Sequence, residues 1–220
     1  MNVFILKIIA LTTMIIDHYG AIFQSDTMYF RMIGRIAFPI YCFLLAEGYF
    51  HTGNVKKYAA RLLIFALISE IPFDLAFYSE LGFIHQNIFF TLFIGLAAIY
   101  MLDNKGRNNN LYRDMIILAS CTLAYLLNVD YGIIGIVYIL TFYFTRNQDK
   151  HNRFKNTAVI MLLVNFSSSI YQQFSLLALP LLYLYDGELG PKNKIMQISF
   201  YAAYPLHLII FYIIKLKTAL

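Results

Sequence analysis

Residues 5–23 read ILKIIALTTMIIDHYGAIF. A helix of that length rises about 28 Å, close to the hydrocarbon thickness of a bilayer. Asp17 and His18 lie inside it. An aspartate near the centre of a span costs about 3 kcal/mol even on the mildest insertion scale, so such a pair reads by default as a functional site. The alternative for His18 is a ring satisfied by a neighbouring helix for packing specificity. The stretch has no small-residue cleavage site, so it is expected to be a retained span and not a removed signal peptide.

Working outward, the same character recurs along the chain. Of 220 residues, 60% are apolar and only 13% charged, against about 25% charged in soluble domains. We therefore expect an all-α, polytopic transmembrane helical bundle forming one domain over 1–220. The spans are read near 3–23, 29–50, 58–78, 88–102, 112–128, 131–145, 157–171, 173–185 and 198–216. That makes nine, with eight as the alternative if 157–185 is one tilted helix. Two helices are preferred, because a polar SSSIYQQ segment in mid-span is costly. Cys42 and Cys121 lie in apolar runs and read as buried thiols, not a disulfide or metal site.

Loop charges set the expected direction. The second, fourth and sixth loops hold Lys56, Lys57 and Arg61; Lys105, Arg107 and Arg113; and Arg146, Lys150, Arg153 and Lys155. The first, third and fifth hold Asp26, Glu80 and Asp130 and no Lys or Arg. This positive-inside pattern puts the N-terminus and the basic loops in the cytoplasm. It also makes the net charge of +5 a topology signal and not a nucleic-acid one. Near the C-terminus Lys192 and Lys194 compete with Lys215 and Lys217, and the charges there balance.

With that direction, His18, Arg31, Arg35, Glu70, Asp74 and His85 reach one depth near the outer face from different spans. Lys7 and His18 are eleven positions apart, so they share a helix face about 16 Å apart through Leu11 and Met14. Asp17 and His18, being adjacent, must find partners on other spans. Arg31 and Arg35 share a face, as do Glu70 and Asp74 with Pro72 between them. Two buried cations need anions. One reading pairs these four as a structural salt-bridge cluster. The other leaves an arginine for a phosphate, a carboxylate or a developing oxyanion. Glu47, beside the basic rim of Lys56, Lys57 and Arg61, reads as an interfacial acid or part of an anionic-ligand site. Pro205 is expected to kink the last helix and make Tyr204 and His207 a pocket wall, with simple packing as the alternative. His85 and Asn87 come from the third loop.

Several segments together resemble the TraX family, named for the F-pilin acetylase. They are LKIIALTTMIIDHYGAIF (6–23), FRMIGRIAFPIYCFLLAEGYFHTGNVKKYAARLLIFALISEIPFDLAF (30–77), HQNIFFTLFIGL (85–96), VDYGIIGI (129–136), YDGELG (185–190) and YPLHLIIF (204–211). The resemblance implies a membrane-embedded transferase that moves an acetyl group to the N-terminal amine of a pilin subunit. That family in turn is similar to a wider group of membrane acyltransferases with a basic residue and a histidine, ten residues between, in the first helix. Lys7 and His18 reproduce the spacing, with Lys in place of the usual Arg.

Chemistry and resemblance give one expectation: transfer of acetyl from cytosolic acetyl-CoA, in the bacterial cytoplasmic membrane, to a pilin-like or other exported peptide amine, or to a hydroxyl. His18 is the expected base or transient acyl carrier, with Asp17, Arg35, Glu70 and Asp74 as catalytic partners. Lys7, Arg31, Glu47, Lys56, Lys57 and Arg61 would meet the donor, and His85, Asn87, Tyr204 and His207 the acceptor. No metal and no nucleic acid are expected. The competing readings are a proton-coupled transporter, whose buried acids and histidines form a relay, and a structural membrane subunit with a salt-bridged core.

Overall fold

The computed structural model describes residues 1–106, 109–191 and 193–218. Arg107 and Lys192, two of the expected loop cations, lie outside the described residues. The helices are α1 (Val3–Phe23), α2 (Met28–Gly34), α3 (Ala37–His51), α4 (Val55–Tyr78), α5 (Ile88–Met101), α6 (Asn110–Leu126), α7 (Gly132–Thr145), α8 (Lys150–Asn165), α9 (Ala178–Tyr183) and α10 (Lys194–Thr218). A π-helical turn, Leu102–Gly106, prolongs α5, and a 3-10 stretch, Ile170–Leu177, leads into α9. Helix starts follow local chemistry. Asn2, Asn54, Asn87, Asn109 and Asp149 each accept a first-turn N–H of α1, α4, α5, α6 and α8, satisfying donors that the helix itself cannot.

Four stretches are long and apolar enough to cross a membrane: Val3–Phe23, Met28–His51, Ile88–Gly106 and Lys194–Thr218. The second is interrupted at Arg35 and Ile36, so the expected single span over 29–50 is two helices in line. Stripes such as Ile64, Leu67, Ile68 and Ile71 on α4 face outward, a large apolar exterior that suits lipid and not water. The core holds the opposite faces, with Phe43, Tyr138, Phe142 and Ile139 fully buried.

The stretch 157–185 turns back on itself. Asn165 at the end of α8 meets Gln172 and Ser175, while Phe154 near its start meets Tyr183 at the end of α9. Two antiparallel segments are therefore present, over 150–165 and 170–183. The last helix agrees. Phe4 packs on Phe200, His18 on His207 and Phe23 on Phe211, so α1 and α10 run parallel, which requires an odd number of passes. Among the described residues these are α1, α2 with α3, α4, α5, α6, α7, α8, the 3-10 stretch with α9, and α10: nine. Pro205 sits inside a continuous α10 and does not divide it.

The bundle has two chemically distinct ends. The connections after α3, α5, α7 and α9, with the helix turns beside them, carry most of the described lysines and arginines. The connections after α1, α4, α6 and α8 carry none, and among the turns beside them Arg31 lies in α2. Lys215, which breaks the pattern, donates to Ala76 O at 3.2 Å and Ser79 Oγ at 2.9 Å. It caps the end of α4, where a cation is favoured.

The α8 turnaround depends on Asn165, 1% exposed. It accepts from Tyr138 Oη at 2.5 Å and donates to Gln172 O at 3.0 Å. Asn165→Leu strands that carbonyl and is expected to cost about 1–3 kcal/mol, read as a lower thermal midpoint in detergent. The exposed Asn156→Leu should change little, and equal midpoints for the two would remove the proposed role of this corner.

Candidate functional site

Successive residues on a helix point about 100° apart, and on α1 this sends Asp17 and His18 to different neighbours. Asp17 faces α2. Its Oδ2 accepts from Arg31 Nη1 at 2.7 Å and its Oδ1 lies 3.5 Å from Arg35 Nη2. The approach needs Gly34, where a Cβ would collide with that of Asp17. His18 instead faces α10, with its Nδ1 2.7 Å from His207 Nε2. His207 Nδ1 lies 2.8 Å from Ala203 O.

These contacts fix the proton positions of the neutral pair. A carbonyl only accepts, so His207 Nδ1 carries hydrogen and donates to Ala203 O. Its Nε2 is then an acceptor, and His18 Nδ1 must donate to it. The remaining lone pair is on His18 Nε2. Phe77 and Tyr204 meet the ring edge-on at 5.2 and 5.8 Å between centroids, holding its plane.

His18 borders a cavity of about 200 Å³ that Asp17, Arg31, Arg35, Tyr41, Tyr204 and apolar groups such as Phe38 and Phe73 also line. Two loops complete the wall. His85 approaches Asp130 at 3.8 Å. Tyr131 accepts from Arg35 Nη1 at 3.3 Å and stacks on Phe38 at 3.8 Å. Tyr131 has φ of 61°, an unfavourable setting for an aromatic residue that persists only where its surroundings hold it. Here the Asp130 side chain accepts its N–H at 3.0 Å, and the stacked ring does the rest.

The arrangement corrects several expectations. Glu70 and Asp74 do not pair with Arg31 and Arg35, since Asp17 takes both arginines. Glu70 accepts from the backbone and side chain of Asn87, and Asp74 Oδ2 accepts from Gly82 N at 2.9 Å, so both acids hold the loop before α5. Asn87 is wholly buried as the cap of α5 and bonds Ala66 O. It is a structural residue and not a cavity wall. The partner of His18 is His207, not Asp17, Glu70 or Asp74. Lys7 shares the His18 face but lies over Phe200 at 5.5 Å, and Arg61 lies over Tyr58 at 5.4 Å. Neither lines the cavity. Lys56 and Lys57 stand exposed. Glu47 is buried against Arg153 at 2.9 Å, so it is no simple interfacial acid. Cys42 is buried and Cys121 half-buried, both as free thiols. The residues that sequence reasoning missed are Asp130, Tyr131, Gln172 and Tyr41. The run DYG offered the one signal, a tyrosine before glycine at a helix start.

The model of the TraX protein family matches residues 3–215. The chain belongs to the TraX family. A relative from Dichelobacter nodosus, called probable fimbrial assembly protein FimC, serogroup H1, is 29% identical over 231 aligned residues, 94% of this chain and 93% of the relative. The Rickettsia prowazekii (strain Madrid E) protein called uncharacterized protein RP591 is 25% identical over 199 residues, 89% of this chain and 73% of the relative. No solved structure matches the chain. In this TraX-family chain the cavity residues fall within the segments that carry the family resemblance, apart from Tyr78.

Two outcomes follow from the pairings. Asp17→Asn and Arg31→Gln should couple by about 0.5–3 kcal/mol in a double-mutant cycle of unfolding, whereas Glu70→Gln and Arg31→Gln should add; coupling in the second cycle alone would contradict the arrangement. His85 lies in the loop, where the Asp130 carboxylate 3.8 Å away raises its pKa against the opposing effect of burial. A raised folded value means the pair stabilises fully below the ordinary histidine pKa and loses that contribution as pH rises through the folded one. NMR titration should place His85 above a free histidine, and Asp130→Asn should bring it down.

Proposed function

We propose that this chain is a membrane-embedded acetyltransferase that moves acetyl from acetyl-CoA to an amine, or a hydroxyl, of an exported pilin-like peptide. The observation that carries the reading is the His18–His207 hydrogen bond, which leaves a lone pair on His18 Nε2 beside a cavity containing two arginines. The fimbrial name of the Dichelobacter nodosus relative favours a pilin-type acceptor.

An N-terminal ammonium has a pKa near 8 and must lose a proton before it attacks a thioester. That first proton is lost to water, and as the neutral amine attacks, His18 Nε2 takes a second proton from its nitrogen, the developing imidazolium keeping its bond to His207. The amine nitrogen forms a bond to the acetyl carbon, and the carbonyl electrons move onto oxygen. Collapse expels the CoA thiolate, which takes that second proton from His18 and leaves as the thiol. Arg35 and the Tyr204 hydroxyl, which finds no acceptor among the described residues, are the donors suited to the oxyanion. Asp17 serves as the counter-ion that keeps Arg31 and Arg35 in place, which makes it a positioning residue.

The reading includes a direction. With the basic end in the cytoplasm of a bacterial inner membrane, the N-terminus is cytoplasmic and the His18 cavity lies toward the outer side. A cytosolic donor then reaches inward, while an exported acceptor arrives at the cavity mouth near His85 and Asp130.

The test is acetyl transfer from labelled acetyl-CoA to a panel of exported-peptide N-termini by protein reconstituted in liposomes. His18→Ala should lower the rate by about 10²–10⁴-fold while the protein still folds and inserts. His207→Phe should lose less, because it removes orientation and not the base. Full activity in His18→Ala, or no transfer by the unaltered protein to any acceptor, would overturn the proposal.

A further inference from the structure

A second cavity, of about 370 Å³, lies at the basic end between α3, the connection from α7 to α8, and the segment after α9. Glu47, Arg146, Lys150, Arg153, Tyr185 and Gly187 line it. Three cations thus face one carboxylate. Glu47 Oε1 accepts from Arg153 Nη2 at 2.9 Å and stands 3.7 Å from Arg146 Nε. One carboxylate cannot occupy two guanidinium groups with five N–H donors each.

The cations are held ready for a ligand. Arg146 lies 4.0 Å over Phe50, Arg153 lies 5.0 Å over Phe43, and Lys150 lies 4.6 Å over Tyr183. Such stacking fixes the planar forks and reduces the ordering that binding requires. The buried Tyr185 hydroxyl has no partner among the described residues. Gly187, at φ 87°, has nothing within 4 Å of where a Cβ would be, so backbone at this wall is open to a ligand. Topology alone would account for basic residues in solvent, as Lys56 and Lys57 are. It does not account for Arg153 at 14% side-chain exposure beside an unpartnered tyrosine.

We propose that this cavity binds a phosphorylated anion, with the Arg146 and Arg153 forks on phosphate oxygens, Lys150 at the mouth and Glu47 holding the arginines apart. Resting on the acetyl-transfer reading, its source is the nucleotide end of the thioester donor; an anionic phospholipid headgroup carries the same chemistry. Phe38 lines the His18 cavity and Glu47 lines this one. They are nine residues apart on α3, about 13 Å along the axis, a separation that the extended pantetheine arm of such a donor can cover.

The experiment needs no catalysis. Adenosine 3′,5′-bisphosphate, which has no thioester, is titrated calorimetrically into the purified full chain in detergent, and native mass spectrometry records co-purified phosphatidylglycerol. Arg146→Gln with Lys150→Gln should weaken the bisphosphate at least about tenfold, one clear decade of affinity, while Lys105→Gln, at an exposed residue of the same end, leaves it unchanged. Loss of bound phosphatidylglycerol alone in the double variant, with no bisphosphate binding by the unaltered protein, would keep the anion site and overturn the nucleotide source. Equal binding of both probes by the variant and the unaltered chain would overturn the site. Should the double variant not survive purification, competition by inorganic pyrophosphate on the unaltered protein, relieved in Lys150→Gln, decides between the same outcomes. Bisphosphate binding without acetyl transfer to any acceptor would sink the enzymatic reading and leave this site standing.

Discussion

Asp17, placed in the middle of an apolar helix, must be neutralised, and the way it is neutralised orders the surroundings of His18. A buried carboxylate without a partner is too costly to keep. Asp17 therefore draws in Arg31 and Arg35 from α2 and its junction with α3. The pair closes only because Gly34 lets the helices meet. With Asp17 committed to α2, helical geometry turns His18 toward α10. There His207 receives its Nδ1 hydrogen and the lone pair is left on the other nitrogen. Arg35 passes the constraint on to Tyr131 and Gln172, so two further loops are tied to the same acid.

The rest of the polar framework supports that arrangement without joining it. Glu70, Asp74 and Asn87 fasten the connection between α4 and α5, which brings His85 to the cavity. Asn165, Tyr138 and Ser175 fasten the corner after α8, which brings Gln172 within reach of Arg35. Buried polar groups in an apolar bundle are costly unless satisfied, and here the satisfied ones mark where helices end and turn. Within α4, Ser69 Oγ and Glu70 Oε1 stay unpartnered among the described residues, and other such atoms border the two cavities. The Tyr204 hydroxyl lies at the His18 cavity, and the Arg146, Arg153 and Tyr185 atoms lie at the basic cavity.

Much of this was legible beforehand. The apolar runs announced helices, and their polar interruptions announced turns. The convergence of His18, Arg31, Arg35 and His85 near one depth also followed, because alternating direction places the ends of successive spans together. What misled was pairing by proximity along one helix. Arg31 with Arg35 and Glu70 with Asp74 look like complementary rows, and nothing in their spacing reveals that Asp17 takes both arginines. Tyr131 was equally hidden, since its role rests on a left-handed backbone and a stack on Phe38 that no periodicity encodes.

The sequence by itself determined the class of the molecule, an all-helical membrane bundle with charge gathered at one end, because hydropathy and loop charge act locally and are summed along the chain. Only the tertiary structure decided that α1 and α10 run parallel, that His207 is the partner of His18, and that Glu47 gathers Arg146 and Arg153 around a cavity. Those facts depend on which side chains from distant helices meet. Lipid-facing and core-facing residues are both apolar here, so the amphipathic pattern that would orient a helix in water says little about which neighbour it will find.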